Sequence, residues 1–181
     1  MIGGQIFAIV GPSGAGKDTL MAAARLARPD LHIVRRVITR PETAGGEDFE
    51  GVTEAEFARR TAAGEFALSW AAHGLHYGIP ITECAGLALG QTVLFNGSRL
   101  ALPAAQIRFL TLAVILVTAP VPILATRLAA RGREDRADIE ARLLRAGFDL
   151  PAVRDLRVVQ NDGPTVEGLS RFLDALQPRN A

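Results

Sequence analysis

Residues 5–19 read Gln-Ile-Phe-Ala-Ile-Val-Gly-Pro-Ser-Gly-Ala-Gly-Lys-Asp-Thr, and this stretch decides the fold. Residues 5–10 form an apolar run of strand length. Gly11, Pro12, Ser13, Gly14, Ala15, Gly16 and Lys17 then match the pattern Gly-x-x-x-x-Gly-Lys. Residues 17–27 read as a helix that ends before Pro29. Strand, glycine turn and helix in that order predict a loop that cradles a phosphate chain. Its glycines let successive backbone N–H groups point inward, and the helix adds the positive end of its dipole. Lys17 can reach the β- and γ-phosphates of ATP and follow charge during transfer. The usual next residue is Ser or Thr, a Mg²⁺ ligand, but here it is Asp18, followed by Thr19. A carboxylate beside a triphosphate needs a cation between them. Asp18 is therefore expected to help hold Mg²⁺, directly or through water, with Thr19 as the other candidate ligand.

Outward from the loop, strand-like runs alternate with helical patterns. Strands are expected over 32–38, 66–70, 91–95, 110–118 and 157–160. Helices are expected over 53–63, where Thr53 and Glu56 form a capping box, and over 80–89, 120–131, 136–146 and 164–176. Residues 40–52 carry Pro, Gly and charge without periodicity and read as a loop. The alternation predicts an α/β fold, a parallel sheet with helices on both faces. Residues 35–90 break it. They suggest a substrate-binding insert in a single domain whose core is 1–34 and 91–181.

The 181 residues are 49% hydrophobic and 22% charged, enough apolar side chain for a core. A net charge of +1 gives no bulk attraction to nucleic acid or to an anionic membrane. The run from Leu110 to Val117 is too short to span a bilayer. Residues 1–10 lack the basic start and cleavage site of a signal peptide. Cys84 is the single cysteine, which suits a reducing cytoplasm. Lys17 is the sole lysine among 20 basic residues; base composition explains the bias, yet a compact ammonium has been kept here. His32, His73 and His76 show no metal-ligand spacing, and no zinc site is expected. A homodimer is left open.

Nearly end to end, the chain resembles guanylate kinases. The resemblance is carried by Gly11-Pro12-Ser13-Gly14, by Arg36 with Thr39-Arg40-Pro41, and by Gly64-Glu65-Phe66 through Trp70. It continues through His73-Gly74, Tyr77-Gly78, Arg127-Leu128, Arg131-Gly132-Arg133, Arg142 and Val159-Gln160-Asn161-Asp162. The residues that read guanine in that family are replaced. Ser69 stands for a Glu, Ile79 for a Thr, and Asn96 and Ser98 for an acidic pair, while Glu42 and Thr43 follow Pro41 where a second arginine belongs. Guanine N–H donors left without acceptors would cost about 1–3 kcal/mol each, which disfavours that base. With Gly45-Gly46-Glu47, Phe66-Ala67-Leu68-Ser69-Trp70, His73 through Ile79 and Asn96-Gly97-Ser98-Arg99, these departures resemble the ribose 1,5-bisphosphate phosphokinases of phosphonate catabolism. That resemblance implies ATP plus ribose 1,5-bisphosphate giving ADP plus 5-phosphoribosyl 1-diphosphate.

Roles follow residue by residue. Arg127 and Arg131 are four apart on one expected helix, with Arg133 just beyond and Arg142 on the next; together they resemble an arginine lid over about 127–145 that neutralises the transferred phosphoryl group. Arg36, Arg40 and Tyr77 are the candidates for a substrate phosphate. Glu47 could meet a sugar hydroxyl or a second metal ion. Ser69, Asn96 and Ser98 suit sugar hydroxyls, the last two past the end of a strand, where open α/β sheets bind ligands. Asn161 is placed near adenine by the resemblance, His73 is expected to be packed in the insert, and Trp70 is expected in the core. A nucleoside monophosphate kinase of altered base preference, or a guanylate-kinase-like interaction module without activity, are the alternatives.

Overall fold

A computed structural model describes residues 4–44, 46–130 and 135–178, without the side chains of residues 142, 145 and 146. In chain order the strands are β1 (Ile6–Val10), β2 (His32–Ile33), β3 (Arg36–Ile38), β4 (Phe49–Gly51), β5 (Phe66–Ala72), β6 (Leu75–Pro80), β7 (Val93–Asn96), β8 (Leu112–Thr118) and β9 (Leu156–Gln160). The helices are α1 (Lys17–Ala27), α2 (Glu54–Ala62), α3 (Leu102–Arg108), α4 (Val121–Ala129), α5 (Arg136–Ala146) and α6 (Thr165–Ala175).

The five residues of β1 are all buried because the strand lies at the centre of a sheet covered on both faces. Ile6, Ala8 and Val10 enter one core cluster and Phe7 and Ile9 the other, the two-residue alternation of a strand. The sheet runs β2-β7-β1-β8-β9 with every pairing parallel. On one face, Leu20, Met21 and Ala24 of α1 meet Phe172 of α6 and Leu124 of α4. On the other, Leu102 and Ala105 of α3 share a core with Ala67, Leu68 and Ile79 of a second sheet, ordered β4-β3-β6-β5. All four of its strands lie between residues 36 and 80.

The strand expected over 32–38 is two strands in two sheets, divided at Val34-Arg35. The expected loop 40–52 contains a turn of 3₁₀-helix at Glu42–Ala44 and strand β4, which pairs in parallel with β3. Strand β6 was not expected. It forms a hairpin with β5 across Ala72 and Leu75, through His73 (φ 53°) and Gly74 (φ 74°). Two consecutive left-handed residues make the tight turn that suits strand twist. His73 is therefore an exposed turn tip rather than a packed residue. The helix expected over 80–89 is 3₁₀-helix, Ile81–Leu89, closed by left-handed Gly90. Helix α3 and the 3₁₀ turn Arg99–Ala101 before it were also not foreseen.

Candidate active site

The carboxyl ends of β1, β7, β8 and β9 converge, and the candidate residues collect there. β1 enters the glycine loop at Gly11, where a Cβ would collide with the carbonyl oxygen of Val117 on β8. Gly14 (φ 84°) and Gly16 (φ 89°) hold left-handed conformations that a side chain would resist. The loop thus lies against the sheet and opens away from it, the shape needed to wrap phosphate oxygens with backbone donors.

Each wall of the loop is held by a side chain. Lys17 Nζ donates to the carbonyl oxygens of Gly11 (2.9 Å) and Pro12 (3.2 Å), so the ammonium lies across the loop. Arg127 Nη1 of α4 donates to Gly14 O at 3.4 Å, and Leu128 packs on Gly14. Asn161, just past β9, is buried, and its Nδ2 donates to Ala15 O at 2.7 Å. In this geometry Asn161 braces the back of the loop. A Cβ on Gly16 or Gly168 would strike the Asn161 amide, so helix α6 must carry glycine there.

Asp18 opens α1 and is exposed, with Asn96 Nδ2 donating to its Oδ1 at 2.8 Å. Asp18, Met21, Ala22 and Arg25 form one face of α1 along a cleft of about 390 Å³ completed by Ile33–Arg35, Gly46–Asp48 and Asn96. The adjoining Thr19 is exposed and does not line this cleft. Asp18 thus offers hard carboxylate oxygen held in place by a neutral amide, a donor that fits Mg²⁺.

Across the cleft, Arg36 is buried. Its Nε donates to Glu47 Oε2 at 2.9 Å and its Nη2 to Glu47 Oε1, a bidentate pair. The same guanidinium lies 5.0 Å from the Tyr77 ring centroid and 5.7 Å from that of Trp70. Trp70 and Tyr77 stack at 5.4 Å, and Trp70 is half-buried rather than fully in the core. Arg36 and Glu47, both sequence candidates, are therefore committed to each other and tie residue 47 of the 42–51 loop to β3. Arg40 is half-buried over the Phe49 ring, 4.4 Å away. Ser69 is exposed on β5. Ser98 accepts from Leu100 N at 3.3 Å and so caps the turn Arg99–Ala101. Ile79 is completely buried in the core beneath the second sheet.

Arg131 and Arg133 lie outside the described residues, as does Gly45; Arg142 falls on α5, and its side chain is likewise outside them. The side chain of Arg35 was missed. It donates to Asp48 Oδ1 (2.9 Å), Phe49 O (3.1 Å) and Glu42 Oε1 (3.4 Å), while its backbone N–H donates to Glu83 (2.9 Å). The Asp48 hydrogen bond chiefly raises its pKa above the usual arginine value. Arg35 thus anchors the 42–51 loop to the junction between the sheets. The basic pair Arg35-Arg36 opposite the acidic pair Glu47-Asp48 was the signal available in the sequence.

No family model matches the chain. Among curated proteins it is 51% identical over 162 residues to a ribose 1,5-bisphosphate phosphokinase of Ruegeria sp., covering 88% of this chain and 85% of that one. It is 47% identical over 172 residues to the phosphokinase of the same name from Agrobacterium fabrum, covering 93% and 94%. A bifunctional ribose 1,5-bisphosphokinase-thymidine phosphorylase of Cupriavidus necator is 46% identical over 175 residues, and this chain spans 29% of that protein's length. Among solved structures, guanylate kinase from Anaplasma phagocytophilum superposes with a TM-score of 0.68 at 20% identity, over 96% of this chain and 85% of that one. That likeness establishes the α/β phosphate-loop kinase fold. Identity near one half over nearly the whole length goes further: the chain belongs to the ribose 1,5-bisphosphate phosphokinase family.

Proposed function

We propose that this phosphotransferase moves the γ-phosphoryl group of ATP onto the 1-phosphate of ribose 1,5-bisphosphate, giving ADP and 5-phosphoribosyl 1-diphosphate. The observation that carries this reading is the loss of purine acceptors in a member of this family, at four positions of which Asn96 lines the cleft. Ser69, Asn96 and Ser98 offer neutral groups, and Ile79 is buried apolar core, so no carboxylate stands at these positions to accept from a purine.

The bond from the γ-phosphorus to its bridging oxygen breaks, and a bond forms from that phosphorus to an oxygen of the 1-phosphate. The acceptor is already an anion, so the protein supplies position and screening rather than a strong base. Residues 11–17 hold the donor phosphates, and the Lys17 ammonium leaves the Gly11 and Pro12 carbonyls to meet them. Arg127 already touches the loop and follows the transferred charge, with Arg131, Arg133 and Arg142 as the remaining members of the lid at about 127–145. Arg40 and Tyr77 take the acceptor phosphate, in a substrate-binding insert at about 35–90. Arg36 and Glu47 shape that pocket from below. Asp18 would hold Mg²⁺, whose charge would screen the triphosphate from the carboxylate.

ATP and a sugar phosphate as substrates, with the single cysteine Cys84, fit a cytoplasmic setting. No described helix is long and apolar enough to cross a membrane. The test is product identification by phosphorus NMR after incubation with Mg·ATP and ribose 1,5-bisphosphate. A diphosphate doublet on the sugar that is lost in Lys17→Ala is expected. ADP with no new sugar diphosphate would sink the reading.

A further inference from the structure

A sugar carrying two phosphates needs two anion sites, and Arg40 with Tyr77 accounts for one. Arg99 follows Asn96-Gly97-Ser98 directly at the carboxyl end of β7, on the ligand side of the sheet. It is half-buried, and its guanidinium carbon lies 4.9 Å from the ring centroid of Phe148, just beyond α5. The short turn that begins with Arg99 is capped by Ser98 and packs against β5 of the second sheet. Arg99 therefore stands where the two sheets meet.

What separates Arg99 from its neighbours is its partner. Arg35, Arg36, Arg60 and Arg157 each meet a carboxylate. Among the described residues, no carboxylate pairs with Arg99; its one contact is the face of Phe148. Arg108 also lies on an aromatic ring, that of Phe109, but it is exposed and precedes β8, at the opposite end of the strands. A guanidinium flat on a ring keeps its N–H edge free for a planar fork of oxygens. Half-burial without an acid is costly unless an anion completes it.

We propose that Arg99 holds the second, non-reacting phosphate of the sugar bisphosphate, with Phe148 as the platform that sets its angle. This assignment rests on the reading of ribose 1,5-bisphosphate as substrate. It makes Arg99 the residue that distinguishes the bisphosphate from a sugar carrying the 1-phosphate alone.

The experiment is steady-state kinetics of the full chain with two acceptors, ribose 1,5-bisphosphate and ribose 1-phosphate, in wild type, Arg99→Gln, Arg99→Lys and Phe148→Leu. Arg99→Gln is expected to raise KM for the bisphosphate roughly tenfold to a hundredfold, the loss of hydrogen bonds to a charged group. KM for ATP and turnover of ribose 1-phosphate stay as in wild type, which also shows that the variant is folded. Arg99→Lys recovers part of the loss, and Phe148→Leu shows a smaller rise in the same KM. An unchanged bisphosphate KM, or an equal loss on both acceptors, overturns the assignment while leaving the functional reading intact. If Arg99→Gln does not fold, unchanged values in both Arg99→Lys and Phe148→Leu overturn it equally. Wild type that turns over neither acceptor overturns the functional reading and this assignment with it.

Discussion

Asp18 and Asn96 are best understood together. Where the guanylate-kinase-like pattern has acid after the middle strand, this chain has Asn96; where phosphate loops have a hydroxyl, it has Asp18. The 2.8 Å hydrogen bond between them shows that the carboxylate beside Asn96 comes from the start of α1. Asp18→Asn preserves size and removes the charge. The Mg²⁺ concentration for half-maximal activity is expected to rise roughly tenfold or more, by analogy with losses seen at ligand-supporting groups. A Mg²⁺ titration of initial rates measures this, and an unchanged midpoint would remove Asp18 from the metal site.

At the scale of elements, two contacts link distant segments to the site. Helix α6 meets the glycine loop through Asn161, which is wedged between Gly168 and Gly16. Gly168→Ala gives a signed test. Helix propensity alone would stabilise the protein by about 1 kcal/mol. Displacement of Asn161 would instead cost about 1–3 kcal/mol and loosen the loop. We expect a lower Tm and a raised KM for ATP, and a higher Tm with unchanged ATP kinetics would refute the wedge. Across the cleft, Arg36 and Glu47 are 7% and 19% exposed and bonded twice. Glu47→Gln leaves a buried cation without its charge partner, at a cost of about 3 kcal/mol. Urea denaturation should show it as a lower midpoint, and the double variant Arg36→Met/Glu47→Leu should regain much of the loss. An unaltered midpoint in Glu47→Gln would mean that the pair is only a surface contact.

What could be read from the sequence at this scale depended on how local the signal was. Thr53 caps α2 by accepting from Glu56 N at 3.1 Å, as the Thr-x-x-Glu spacing implies, and α1 and α5 run over the residues their patterns marked. β6 was lost because His73-Gly74 resembles a motif first and a two-residue turn second, although a residue before Gly between alternating runs is a hairpin signal. The division of 32–38 into two strands depends on Arg35 and Glu83, residues 48 apart, and no local pattern encodes that.

For the molecule as a whole, the parallel sheet followed from the glycine loop and the alternation of elements. The order β2-β7-β1-β8-β9 did not, because neighbours in it are up to 106 residues apart, as Ile6 and Leu112 are. The glycine loop was legible because its backbone requires glycine at fixed spacing. The candidate acceptor residues come mainly from resemblance, and Arg36, Glu47 and Ser98 prove to have partners within the protein that residue type alone does not reveal. The measurement that bears most directly on the central claim is therefore acceptor selectivity: kcat/KM for ribose 1,5-bisphosphate beside GMP, dGMP and AMP at one Mg·ATP concentration. The account predicts a preference for the sugar bisphosphate of roughly a thousandfold or more, since several unpaired guanine donors would each cost about 1–3 kcal/mol. Preferential turnover of GMP would contradict it and would return Ser69, Asn96 and Ser98 to a purine site.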